Sequence, residues 1–333
     1  MYEKSVTSSA VRDTIAARIS EARRILLCTH TNPDGDGLGS MLALARSARQ
    51  VGREARVVVA GEVPRKYGFL FEDETPLGVE DLSASADWAD VLVVVDTTAV
   101  EQLTGMVAAL QGRAEKLVVI DHHASGGTLG PLQWVDPSAA AAGLLVGELL
   151  EELGWPLDVS VARCLTVAVL SDTGWMHFSN TDARVLRAVA RWLETGVEPD
   201  VLYDRLFQRD RVERLRLMAR VIDSLELYHH ARLAVMVLRR KDFDQTGARR
   251  EETENLINEA LRIETVDVAI LLTETPDRIR VSLRSRCDVD VSAIAAEFGG
   301  GGHPRAAGLK SNEPIDELRR RLIRSARAAL DLS

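Results

Sequence analysis

The chain has 333 residues, 46% of them apolar, with 41 basic and 50 acidic side chains for a formal net charge of −9. That length allows two domains with cores of their own, and the apolar fraction argues against a disordered chain. No apolar run is long enough to span a bilayer, MYEKSVTSSAVRD lacks the apolar segment and cleavage site of a signal peptide, and three scattered cysteines (Cys28, Cys164, Cys287) fit buried thiols of a reducing cytoplasm. The charge deficit lies in residues 1–219, with 22 basic and 31 acidic side chains, while residues 220–333 carry 19 of each. Gripping long nucleic acid needs a basic track, which is absent here, so a nucleotide substrate would be short.

Helical spacing opens the chain over residues 7–23, with Val11, Ile15, Ile19 and Ala22 on one side. The apolar run 25–28 then reads as a buried strand and leads into CTHTNPDGDGLGS, residues 28–40. Open α/β sheets place their chemistry just past the carboxyl ends of such strands. His30, Asp34 and Asp36 stand there among Pro33, Gly35, Gly37 and Gly39. A surface turn whose acids cap the helix starting near Leu38 is an equally good reading of this stretch alone.

The spacing predicts a helix over 38–50, a strand over 56–60, and loops with short helices over 61–86. Strands over 90–95 and 116–120 end on Asp96-Thr97-Thr98 and Asp121-His122-His123. Helices are expected over 136–152 and 159–170, the second delivering Ser171-Asp172-Thr173-Gly174. Strands apolar on both faces and separated by helices imply a mainly parallel, doubly wound sheet. Residues 183–221 are helical and heavily charged. Strands over 233–238, 266–273 and 278–283, helices over 252–262, 290–298 and 315–330, and a Gly299–Gly302 run before His303 complete a smaller α/β domain. The expected domains are 1–185 and 221–333, joined by a helical connector over 186–220.

Asp34, Asp36, Asp96, Asp121 and Asp172 converge on one sheet edge with His30, His122 and His123. Five carboxylates packed together repel unless cations neutralise them. Two divalent ions, bridged by one carboxylate, would do so, and oxygen and imidazole donors without thiolate suit manganese, then magnesium or cobalt. Such a pair activates water and clamps phosphoryl oxygens, and a neighbouring histidine can protonate the leaving group or brace the phosphate. Each Asp taken singly can also be a helix cap, and His122-His123 can simply bond the backbone. Trp175 and Phe178 can stack on a base or pack in the core. His177, close to Asp172, is a candidate for substrate contact, and His229-His230 receive no function. In the second domain, Gly299–Gly302 leave backbone N–H groups able to face a phosphate. With His303, Arg305 and Arg284-Ser285 they read as a pocket for a terminal phosphate, or as a flexible loop with incidental charge.

HTNPDGDGLGS, VVVDTT, VIDHHAS and LSDTGWMHFSNT, in this order, resemble the four motifs of the DHH phosphoesterase superfamily. RVSLRSR and FGGGGHPRAAG resemble its DHHA1 carboxyl domain, and the layout is most similar to the bifunctional oligoribonuclease/pAp-phosphatase group. The resemblance implies that His30, Asp34 and Asp96 hold one metal and that Asp36, Asp96, His122 and Asp172 hold the other, with Asp96 bridging. It implies that His123 faces the scissile phosphate while Asp121 orients a histidine. It further implies that Arg284, Ser285, the glycine run including Gly301 and Gly302, and His303 hold the substrate across an interdomain cleft. His177 and Arg305 are not carried over.

The expected activity is manganese-dependent removal of mononucleotides from very short RNA, with pAp and linear dinucleotides as further substrates. A single-strand DNA exonuclease or an inorganic pyrophosphatase of the same superfamily, or a non-catalytic nucleotide sensor, are the alternatives. A symmetric homodimer is compatible with the sequence, which does not locate its surface.

Overall fold

A computed structural model describes residues 4–123 and 127–332, with side chains from residue 10 onward. Ala124 and Ser125 of the VIDHHAS motif lie outside the described residues. The chain divides between Arg209 and Asp210 into two compact units.

The first unit runs α1 (Lys4–Glu21), β1 (Arg24–Cys28), α2 (Gly35–Gln50), β2 (Glu54–Val58), α3 (Leu82–Trp88), β3 (Val91–Val95), α4 (Val107–Gln111), β4 (Leu117–Asp121), β5 (Leu132–Val135), α5 (Ala142–Leu153), α6 (Val159–Asp172), α7 (Ala183–Leu193) and α8 (Pro199–Phe207). Its five strands lie in the order β2-β1-β3-β4-β5, and every pairing is parallel. β1, β3 and β4 are apolar on both sides because helices cover both faces. Ile25, Leu27, Val93 and Ile120 pack against α2, α5 and α6, while Leu26, Val94 and Val119 pack against α3 and α4. From β1 the chain winds one way to β2, then crosses to place β3 on the far side of β1. That reversal opens a crevice beyond the carboxyl ends of β1 and β3, where such sheets bind ligands.

The glycines after β1 serve close packing. A Cβ on Gly37 would strike the Thr29 side chain, and one on Gly39 would strike the Cys164 carbonyl oxygen of α6. Helix α2 therefore starts at Gly35, three residues earlier than the spacing predicts, with its amino end pressed between β1 and α6.

The second unit runs α9 (Val212–Asp223), β6 (Glu226–Tyr228), β7 (Leu233–Leu238), α10 (Arg240–Thr246), β8 (Val268–Glu274), β9 (Ile279–Ser285), α11 (Val291–Ala296), β10 (Gly301–His303), β11 (Ala306–Ser311) and α12 (Ile315–Asp331). The sheet order is β10-β11-β9-β8-β7-β6, antiparallel except for β7 with β8. Helices α11 and α12 cover one face, through Val291, Ile294, Leu318 and Leu322. On the other face α9 and the turn Leu256–Arg262 cover Ala234, Met236, Ala269 and Leu271.

Three expectations are corrected. The helix expected from Asp136 begins at Ala142, and Leu132–Val135 before it is the edge strand β5, too short and mixed to show a period. The helix expected over 252–262 is two 3-10 turns, Arg250–Thr253 and Leu256–Arg262, separated at Asn255, whose φ of 63° stops a right-handed helix. The glycine run is in part the strand β10. Among the described residues no helix is long and apolar enough to cross a membrane.

Candidate metal centre

Five elements deliver side chains to the crevice. His30 follows β1, and Asp34 and Asp36 sit at the amino end of α2. Asp96 follows β3, Asp121 ends β4 with His122 and His123 behind it, and Asp172 ends α6. Three groups of donor atoms lie close enough to share an ion: His30, Asp34 and Asp96; Asp36, His122 and Asp172; and Asp96, Asp121, His122 and His123.

His30 Nε2 lies 3.4 Å from Asp96 Oδ2 and 3.8 Å from Asp34 Oδ1. His122 Nε2 lies 3.1 Å from Asp172 Oδ2, 3.5 Å from Asp96 Oδ1 and 3.6 Å from Asp36 Oδ2. Asp96 thus turns one oxygen to each cluster. It does so from a left-handed backbone, φ 65°, with its N–H donating to the Ile120 carbonyl. Aspartate tolerates that conformation better than most residues, and such strain concentrates at functional sites.

The capping reading holds beside the metal reading. Asp34 Oδ1 accepts from the N–H groups of Asp36 and Gly37 and caps α2. Asp36 is fully buried and accepts from Ala142 N at 2.6 Å, Gly143 N at 2.8 Å and the Ser40 hydroxyl at 3.0 Å. It therefore anchors the start of α5, whose own cap residue, Ala141, supplies no side-chain oxygen. Ser40, Gly143 and Asn180 were not singled out in the sequence. Ser40 stands four residues after Asp36, a helical spacing that brings the two side chains together. Asn180 donates to the carbonyls of Asp172 and Ala140, tying the loop after α6 to the crevice.

The electrostatics call for positive charge. Burial, then the nearby Asp96 and Asp172 carboxylates, pushes Asp36 well above its ordinary range. Burial also lifts Asp172 to about 6, prevailing over the opposing influence of His122, and the like charges of Asp96 and Asp34 add to the rise. Its place at the carboxyl end of α6 adds an unfavourable helix-dipole term. Burial opposes charge on His30 and His122, yet their carboxylate neighbours prevail and raise them to about 10 and about 11. The His123 imidazole is raised by its 2.8 Å bond to Asp121 Oδ1, and Asp121, although buried, is lowered by the same bond.

Asp96 Oδ1 and His122 Nε2 are buried, 3.5 Å apart and without a hydrogen-bond partner. His122 Nδ1 faces the Ala139 carbonyl, which makes it the donor and turns Nε2 into the cluster. A buried pair of this kind is costly unless a proton on Nε2, or a cation that displaces it, lies between. The donors present therefore fit a divalent ion.

His177 is exposed with its ring against Phe178 and joins none of the three groups. Trp175 packs edge-on against Tyr203 and Phe207, while Phe178 is about half exposed.

In the second unit, Arg284 lies on β9 opposite Ala306, and burial holds its guanidinium below its ordinary range. The Ser285 hydroxyl donates to the Cys287 carbonyl, and Arg305 pairs with Asp288. The N–H groups of Gly299 and Gly300 donate to carbonyls of α11, so they close that helix. Gly301, Gly302 and His303 form the sheet edge, and a Cβ on Gly302 would strike the β11 backbone.

A family model described as the DHH family, N-terminal domain, matches residues 24–169, and one described as the DHHA1 domain matches residues 230–330. The chain is similar to the bifunctional oligoribonuclease and PAP phosphatase NrnA of Thermus thermophilus, 34% identical over 92% of this chain and 90% of that protein. It is also similar to the protein of the same name from Bacillus subtilis, 24% identical over 85% of this chain and 88% of that one. Among solved structures, an exopolyphosphatase-related protein from Bacteroides fragilis shares the fold, with a TM-score of 0.89 and 23% identity over 97% of this chain and 96% of that one.

Proposed function

The chain belongs to the DHH family of phosphoesterases and carries its DHHA1 domain, and from this premise we propose that it hydrolyses very short oligoribonucleotides to mononucleotides and removes the 3′-phosphate of pAp. The observation that carries this reading is the orphaned pair Asp96 Oδ1 and His122 Nε2 inside three overlapping donor groups. The similarity to the Thermus thermophilus protein supports the substrate class.

Two ions, manganese by the donor chemistry, would be held by His30, Asp34 and Asp96 and by Asp36, Asp96, His122 and Asp172. When bound, a pair of divalent ions supplies an activated water and neutralises the phosphoryl oxygens. The protein's own groups do the rest. Asp121 accepts from His123 Nδ1–H and so fixes the orientation of the ring that would face the scissile phosphate. The same bond raises the imidazole above its ordinary pKa, which favours the protonated form that would give a proton to the departing ribose oxygen. Arg284 and His303 would hold a phosphate of the substrate, with Ser285, Gly301 and Gly302 shaping that pocket. The division of labour is a catalytic region 1–185, a connector 186–220 and a substrate-holding region 221–333.

The test is hydrolysis of 5′-labelled RNA from dinucleotides to 20-mers with manganese. Rates that fall steeply beyond about five residues support the reading. Equal rates across the series, or no cleavage with manganese present, would reject it.

A further inference from the structure

The DHHA1 sheet has one face that its own helices leave partly bare. On that face β9 presents Arg280, Ser282 and Arg284, and the register sets them opposite Lys310, Gly308 and Ala306 of β11. Gly301 and His303 of β10 continue two of these rungs. Arg280 and Lys310 are exposed, while their neighbours Val281 and Leu309 point into the core.

Two features of this face bear on ligand binding. Arg280 and Lys310 stand directly across the ladder from each other, and like charges in that relation are destabilising. The acids nearest to them in sequence are committed elsewhere: Asp277 to Arg278, Glu274 to the backbone of Arg240, and Glu313 to Arg321. Between this cationic rung and the one bearing Arg284 lies a rung of Ser282, Gly308 and Gly301, with open space above Gly301. Glycine in a strand weakens it and often marks close approach of a ligand.

We propose that Arg280 and Lys310 form a second phosphate subsite for an oligonucleotide that also engages Arg284 and His303, with sugar or base lying over the glycine floor between them. The inference rests on the nucleotide-hydrolase reading and deepens it. Arg280 and Arg284 are four residues apart on one strand, about 13 Å at the usual rise. That is the reach of two steps of an extended nucleotide strand. The subsite therefore adds nothing for a mononucleotide bisphosphate, and it adds affinity once the chain is long enough to place a phosphate there.

The experiment measures binding of fluorescein-labelled oligoribonucleotides of two to five residues to the full chain in chelator, where nothing is cleaved. Turnover of the same oligonucleotides with manganese is followed in parallel. Compared are the wild type, Arg280→Ser/Lys310→Ser, and a control, Arg324→Ser, which removes an exposed charge from α12. The wild type should gain about fivefold in affinity between two residues and four or five. The double variant should lose that gain, and its log affinity against log salt for the longest oligonucleotide should be shallower by about 0.7, one phosphate contact. The control should keep both. A wild-type affinity flat from two to five residues, or a double variant that keeps the gain, overturns the subsite. Loss of the gain in a chain that cleaves none of the oligonucleotides would uphold the subsite as a binding site and reject the hydrolase reading instead.

Discussion

Gly39→Ala tests whether the first glycine-rich stretch is built for packing. The new Cβ would lie well inside 3.0 Å of the Cys164 carbonyl oxygen, 3.0 Å from Ala168 Cβ and 3.1 Å from Ala168 N. None of these is the free end of a flexible side chain, so α2 and α6 must part by at least a few tenths of an ångström. Overpacking of this kind costs about 3 kcal/mol, at the upper end of its usual range, because backbone is struck. Alanine recovers about 1 kcal/mol of helix propensity. The net loss is then about 2 kcal/mol, a fall of about 1 M in urea midpoint for an m-value near 2 kcal/mol/M. All five tryptophans (Trp88, Trp134, Trp155, Trp175, Trp192) belong to the first unit, so tryptophan fluorescence reads this transition selectively. Gly68→Ala is the control: it has open space around it, within the 3-10 turn Arg65–Phe71, and should leave the midpoint unchanged or raise it. A Gly39→Ala midpoint at or above that of the wild type would refute the packing account, since propensity alone would then govern the site.

Three other outcomes follow from the geometry. Asp121→Asn removes the carboxylate that raises His123, so the alkaline limb of the pH–rate profile should move to lower pH, and an unmoved limb would separate His123 from proton donation. His30 and His122, at about 10 and about 11 in the metal-free chain, hold protons at neutral pH that a cation must displace. Manganese binding should therefore release protons and tighten as pH rises from 6 toward 10, read by calorimetry in two buffers of different ionisation heat; binding indifferent to pH would contradict this. Arg184 donates to both oxygens of Glu148, at 2.6 and 2.7 Å, and to Asp136 at 3.0 Å, so Arg184→Ala should cost about 2 kcal/mol in urea denaturation. Asp136 is lowered below its unfolded value, although burial opposes this, by Ser138 and then Arg184. Its stabilisation is present above about pH 4 and lost as pH falls through the folded value, so the variant's deficit should shrink in acid.

What the sequence made legible was what one strand or one short stretch encodes by itself. β1, β3 and β4 stood out because both their faces are apolar, and the acids and imidazoles stood out because each follows such a strand or ends a helix. That convergence is a property of a parallel sheet, in which all carboxyl ends lie on one edge. The missing pieces depend on partners far away in the chain. Asp36 anchors α5, more than a hundred residues on, and nothing near residue 36 announces it. The glycines read as turn formers, whereas Gly37 and Gly39 are small because Thr29 and Cys164 press on them. β5 and β10 are edge strands of four and three residues, too short for any period, and β10 became visible only through its register with β11. The left-handed backbone of Asp96, which lets one carboxylate face both clusters, is permitted by its residue type but not announced by it, since aspartate adopts other conformations more often.

The two-ion centre is tested most directly by counting manganese bound per chain at equilibrium, in the wild type and in Asp96→Asn, together with turnover of a dinucleotide. The account predicts two ions in the wild type and loss of both ions and of turnover, by at least about a hundredfold, in the variant. A chain that binds no manganese, or one that cleaves the dinucleotide equally well in chelator, would contradict it.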